Sequence, residues 1–245
     1  MHTLEQLKTG QLKGTTHLQL AEGLSEFPRE IFEHADTLEV LDLSNNQLSQ
    51  LPDDLHRLTQ LRIVFASNNR FQSLPPSLGA CPKLEMIGFK SNQIIDVCSV
   101  SLPRQTRWLI LTDNQIESLP DNIGELSQLK KLMLAGNRIQ QLPESFAQCQ
   151  ALQLLRLSAN RFQRFPDVVL SLPKLAWLAF AGNPFCQETT QAETVPRVTR
   201  QQLILGETLG QGASGVISRA HWRHNDLQLP IEVAVKIFKG GITSD

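Results

Sequence analysis

Leucines and their apolar substitutes fall on a fixed grid over most of the chain. Leu38-x-x-Leu41-x-Leu43-x-x-Asn46 recurs as Leu61-x-x-Val64-x-Ala66-x-x-Asn69 and Leu84-x-x-Ile87-x-Phe89-x-x-Asn92. The grid continues through Leu109, Leu111 and Asn114, then Leu129, Leu132, Leu134 and Asn137, then Leu152, Leu155, Leu157 and Asn160. Its last copy is Leu175-x-x-Leu178-x-Phe180-x-x-Asn183. The step is 23 residues, shortened to 22 between Asn92 and Asn114. Each Leu-x-Leu alternation puts two side chains on one face of a short strand. One repeat is too small to bury that face alone, so neighbours must stack into a continuous core.

The asparagine after each strand is placed to turn the chain inward. There its amide can serve backbone groups of its own and of the adjacent repeat. Leu-Pro pairs follow at Leu51-Pro52, Leu74-Pro75, Leu119-Pro120 and Leu142-Pro143, with Phe165-Pro166 as a variant. Proline suits a return path, where no ladder hydrogen bond is needed. Over residues 15–186 this pattern resembles leucine-rich repeats of the Leu-Pro type. The resemblance implies an α/β leucine-rich repeat solenoid of about eight repeats, a right-handed horseshoe with a parallel concave sheet.

The ends depart from the grid, as solenoid ends do. The first copy, Leu18-x-Leu20-x-x-Gly23-Leu24, is one residue short and lacks the asparagine. Residues 1–14 are expected to form an N-terminal cap, in which an amphipathic stretch around Thr3–Leu12 covers the open end. Gly182-Asn183-Pro184-Phe185-Cys186 breaks the pattern at the other end and is expected to close the array. From Ser91 to Arg107, Cys98 replaces the proline and Leu102-Pro103-Arg104 is displaced. A local distortion of the convex side is expected there.

Positions beside the strand leucines point out of the core. In columns they read Val40, Ile63, Met86, Trp108, Lys131, Leu154, Trp177 and Asp42, Phe65, Gly88, Ile110, Met133, Arg156, Ala179. Large hydrophobes sit where Asn or Ser would cost nothing, which predicts an exposed apolar face for binding. Trp, Met and Arg are the types enriched at interface cores. The expected partner-binding set is Val40, Ile63, Phe65, Met86, Trp108, Ile110, Met133, Leu154, Arg156 and Trp177.

Residues 187–200 (QETTQAETVPRVTR) are polar and aperiodic and read as a linker. Beyond them come Leu209-Gly210-Gln211-Gly212-Ala213-Ser214-Gly215-Val216-Ile217 and Val233-Ala234-Val235-Lys236. A G-x-G-x-x-G run alone is a weak signal, because dinucleotide-binding folds share it, but those need a helix after the loop. Here Val216–Ala220 continues as strand and His224-Asn225-Asp226 reads as a hairpin turn. Residues 201–245 resemble the start of a protein kinase domain.

That resemblance implies ATP and Mg2+ as cofactors of a full-length parent. It places Leu209, Ile217 and Ala234 around the adenine, Gly210, Gly212 and Gly215 over the phosphates, and Lys236 on the alpha and beta groups. The glutamate helix, HRD-type base and DFG-type metal ligand of that family do not occur before Asp245. The segment therefore reads as an incomplete kinase N-lobe, with no catalytic residue and no metal ligand in this chain, inactive by itself. The whole is identified as the amino-terminal part of a bacterial-like soluble leucine-rich repeat protein kinase, specific for Ser or Thr. The concave face would take a protein partner or the chain's own kinase domain. The alternative is a non-catalytic binding adaptor with a degenerate or accidental kinase-like tail.

Composition changes this picture little. The net charge of −1 gives no bulk attraction to nucleic acid or membrane, and neither is expected as a partner. No stretch reaches the roughly 20 apolar residues of a membrane span, and the first residues do not read as a secretory signal. The four cysteines show no CxxC pairing or metal spacing, so a reduced, cytoplasmic setting is expected. Cys81 and Cys149 fall where other repeats place Leu58, Leu126 and Leu172, and read as core residues.

Overall fold

The structure, a computed structural model, describes residues 1–186, 198–212, 215–223 and 231–238. The chain divides into two compact units, Met1–Glu188 and Thr189–Asp245.

In the first unit each Leu-x-Leu alternation forms a three-residue strand. These are β1 His17–Gln19, β2 Val40–Asp42, β3 Ile63–Phe65, β4 Met86–Gly88, β5 Trp108–Ile110, β6 Lys131–Met133, β7 Leu154–Arg156 and β8 Trp177–Ala179. They pair in chain order into one parallel sheet. The register advances by one repeat per strand, so Leu41, Val64, Ile87, Leu109, Leu132 and Leu155 form one row. That row is fully buried. Return paths carry short 3-10 turns, among them Pro76–Ala80, Asp121–Glu125, Glu144–Gln148 and Asp167–Ser171. Each opens directly after the proline of its Leu-Pro or Phe-Pro pair, whose fixed φ starts the turn without costing a donor.

The asparagines do what their position implied. Asn137 Nδ2 donates to Leu111 O of the preceding repeat (2.9 Å) and Leu134 O of its own (3.0 Å), while Oδ1 accepts from Ile116 N (3.0 Å). Asn114, Asn160 and Asn183 repeat the arrangement. The short first repeat is served from the second: Asn46 Oδ1 accepts from both Glu22 N (3.1 Å) and Leu24 N (2.9 Å).

One regularity escaped the sequence reading. The residue before each ladder asparagine is left-handed: Asn45, Asn68, Ser91, Asp113, Gly136, Ala159 and Gly182 all have φ between 53° and 80°. The column holds only small or short polar residues, which tolerate that region better than bulky ones do. Its composition was the available signal.

At the N-terminus, α1 (Leu4–Lys8) starts with a Thr3/Gln6 capping box. Its Leu7 is buried, and Leu4 and Leu12 pack against the core. His2 extends the sheet edge: its N–H donates to Gln19 O (2.9 Å), and Gln19 N–H donates to its Nδ1 (3.2 Å). At the other end Phe185 joins Phe165 and Phe180, with ring centroids 5.8–6.0 Å apart. Around Cys98 the 3-10 turn shrinks to Ser99–Ser101, and Ser101 Oγ donates to Leu74 O (2.8 Å). The preceding turn approaches so closely that a Cβ on Gly79 would lie 1.8 Å from Val100 O. The convex side is thus distorted there as the missing residue and missing proline suggested.

No cysteine is in a disulfide. Cys81 and Cys149 are fully buried. Desolvation pushes their thiols up to about 12 and about 11.

In the second unit, β9 (Leu203–Gly212), β10 (Gly215–Trp222) and β11 (Ile231–Phe238) form an antiparallel sheet in the order β11-β10-β9. The expected turn at His224-Asn225-Asp226, the loop tip Ala213-Ser214, residues 187–197 of the linker and residues 239–245 lie outside the described residues. No helix among the described residues is long and apolar enough to cross a membrane.

Candidate functional site

The outward residues of β2–β8 form the candidate binding surface. Because the middle residue of each strand is buried from β2 to β7 and half-buried in β8, its neighbours on both sides face away from the core. The expected openly exposed apolar face is corrected on one point. Val40, Ile63, Phe65, Met86, Trp108, Ile110, Met133, Leu154 and Arg156 are half-buried, and of the set only Trp177 is openly exposed, at 49%. Strands about 4.8 Å apart let long side chains of adjacent repeats shield one another. Gly88 is the extreme case. It is buried under the Phe65 ring, whose Cδ1 would lie 2.6 Å from an added Cβ. Ile63, Met86 and Trp108 line a shallow pocket on this face, with Glu85 and Arg107 beside them.

The row just ahead of the strands alternates in charge: Glu39, Arg62, Glu85, Arg107. Arg62 bridges Glu85 and, at 3.7 Å, Glu39; Arg107 reaches Glu85 at 3.4 Å. Partial desolvation works to raise the Glu85 carboxyl. Hydrogen bonds and charge from Arg62, then Arg107, outweigh it and hold the carboxyl below its ordinary range. Individual exposed pairs contribute only about 0–1 kcal/mol. The row matters because it neutralises this part of the surface. The repeat step put these residues in one column, so the alternation was legible, yet the sequence reading did not use it.

Beyond Arg107 the alternation stops, and the row continues as Lys130, Gln153 and Ala176. Two cations then lie on the tryptophans. Lys131 Nζ sits 3.7 Å from the Trp108 ring centroid and Arg156 Cζ 5.6 Å from that of Trp177. Lys131 belongs to the site, although the expected set omitted it.

The kinase-like residues lie on the second unit. Gly210 pairs with Ile217, and Ile217 pairs with Lys236, so the three form one line across β9, β10 and β11. Ala234 pairs with Arg219, two residues along, and shares the face of Ile217 and Lys236. Gly212 pairs with Gly215 at the hairpin mouth. Leu209 is 51% exposed, close to a register shift between Ile217 and Ser218. Above Gly210 the space is open, with nothing within 4 Å of an added Cβ. Arg219 bridges Glu207 at 3.3 Å and Glu232 at 3.1 Å. Among the described residues no His, Cys, Asp or Glu cluster is built to hold the magnesium that the resemblance implies.

The family comparison falls on the first unit. Residues 16–71 and 104–162 match the family model for the leucine-rich repeat. The fold is similar to that of a leucine-rich repeat protein of Leptospira interrogans. That structure is 28% identical, with a TM-score of 0.54 over 68% of this chain and 49% of that one. It is also similar to an internalin of Listeria monocytogenes, 23% identical, with a TM-score of 0.58 over 71% of this chain and 50% of that one. The internalin likeness is one of fold alone. The chain spans about half the length of these two structures. Repeat pattern, family model and fold agree that the Met1–Glu188 unit is a leucine-rich repeat array.

Proposed function

We propose that the array captures a protein partner on its concave sheet and that β9–β11 begin the ATP site of a protein kinase. The whole protein would then transfer the γ-phosphoryl of ATP to a serine or threonine hydroxyl of a protein in the cytosol. The observation that carries recognition is the apolar column centred on Trp108 and Trp177, each ring bearing a cation. Tryptophans with Arg and Met are the composition of interface hot spots. Truncating Trp108 or Trp177 to alanine is expected to weaken capture of a partner isolated on the wild-type array by about 2 kcal/mol each. Unchanged affinity in both variants, measured by calorimetry, overturns the assignment of this face.

The nucleotide reading is supported by the Gly210–Ile217–Lys236 line with Gly212 and Gly215 at the hairpin mouth. Glycine lets backbone N–H groups approach phosphate oxygens, and the Lys236 ammonium would pair with them as a point charge. Leu209, Ile217 and Ala234 would give the adenine apolar contact. ATP supplies the phosphoryl group. The protein expressed from its full reading frame should phosphorylate a protein substrate, and Lys236→Ala should lower the rate by about tenfold or more. Equal turnover with and without Lys236 rejects the ATP-site assignment. The second reading, a non-catalytic adaptor, is favoured by the family match, which lies within the array. Absence of phosphotransfer by the full reading frame would select it.

A further inference from the structure

Resting on the concave-face reading, we infer that the partner presents an acidic segment with apolar anchors, and that it docks across β5–β8. The net charge of −1 conceals a division along the array. Residues 1–57 hold ten Asp or Glu against four Lys or Arg, whereas residues 130–186 hold two against seven. The sheet surface repeats the division. From β2 to β5 the Glu39–Arg62–Glu85–Arg107 row cancels its own charge, and Asp42 accepts a hydrogen bond from Gln19 Nε2 (2.9 Å). From β6 onward Lys130, Lys131 and Arg156 face outward, and among the described residues no carboxylate pairs with them.

The ring contacts decide what these cations offer. Lys131 and Arg156 lie against Trp108 and Trp177, so their stems extend an apolar platform through Leu154 and Met133. A ring quadrupole attracts a cation without neutralising it. Each cation keeps its charge for an incoming carboxylate while the indole beside it takes an apolar side chain. The acidic first repeats repel the same segment, which favours one end of the sheet over the other.

The test is selection of short random peptides, displayed on phage, against the whole chain. The expected winners are rich in Asp and Glu next to Leu, Phe or Trp, and their binding weakens as salt is raised. Their affinity should fall about tenfold or more on Lys131→Glu/Arg156→Glu. It should fall likewise on the milder Lys131→Gln/Arg156→Gln, which guards against misfolding, and stay unchanged on Arg164→Glu, outside the concave rows. Winners of neutral or basic composition that ignore charge reversal but are lost on Trp108→Ala overturn the acidic partner and leave concave recognition standing. Winners that ignore both changes overturn both readings, and a selection with no winners overturns the acidic partner.

Discussion

From β1 to β7 the middle residue of every strand in the array is fully buried, although each strand is only three residues long. The second unit has strands of ten, eight and eight residues with backbone pairing along most of their length. Yet Ile204, Leu205, Leu209, Ile217, Ile231 and Ile237 are all exposed there, and among its described residues only Ser218 and Ala220 are buried. Pairing sets register; burial supplies most of the stabilisation. In the array each strand receives a second layer from its own return path and a third side from the next repeat. The three-stranded sheet of the described residues has pairing without such layers, and a sheet of that kind draws little stability from its own burial.

The largest effect should come from cutting the asparagine ladder. Asn137→Ala strands the N–H of Ile116 in a buried turn and removes one of two hydrogen bonds at the carbonyls of Leu111 and Leu134, which keep those from Asn114 and Asn160. With an unsatisfied buried N–H costing about 1–3 kcal/mol and each further lost hydrogen bond about 0.5–1.5 kcal/mol, a loss of about 2–6 kcal/mol is expected in urea unfolding. A loss below about 1 kcal/mol would mean that burial alone holds the turns.

The comparison between the units is tested directly by a matched pair of truncations. Leu155→Ala, at a fully buried position, should cost about 2–5 kcal/mol. Ile237→Ala, at a position 42% exposed, should change stability by no more than about 0.5 kcal/mol. Equal losses would show that the sheet is packed as the array is.

A graded effect separates the units by pH. The thiols of Cys81 and Cys149 ionise near 9 when unconstrained and near 12 and 11 when folded. Between those values the unfolded chain binds fewer protons than the folded one, so stability falls as pH rises. The array should lose up to about 1.4 kcal/mol per pH unit for each thiol above about pH 9. The chain has no tyrosine to contribute in that range. Cys81→Ala/Cys149→Ala should flatten the slope, as followed by unfolding at a series of pH values. A slope unaffected by the substitutions would assign the loss to other groups.

Much of the array was legible because its period fixes which residues are equivalent. Leu41, Val64 and Ile87 are recognisable as one row from their spacing alone, and the asparagines declare their backbone role. The strands around Ile217 and Lys236 were legible too, from apolar runs flanking glycine. Contacts between columns were not. Whether Arg62 reaches Glu85, or Lys131 lies on Trp108, depends on the side-chain torsions of long residues at a fixed strand spacing. Periodicity carries no information about those torsions.

The sequence by itself determined the number and order of the strands, the buried rows, the ladder and the core placement of Cys81 and Cys149. Equal steps along the chain become equal steps in space only because each repeat must stack on the last. Only the tertiary structure decided how open the concave face is, where its charge is cancelled and where it is left over, and that Gly210, Ile217 and Lys236 share a line. These are outcomes of neighbours meeting across strands: a ring covering a glycine, an arginine choosing between two glutamates, a hairpin register set by pairing. No single segment encodes them, because each depends on two segments being brought within a few ångströms of one another.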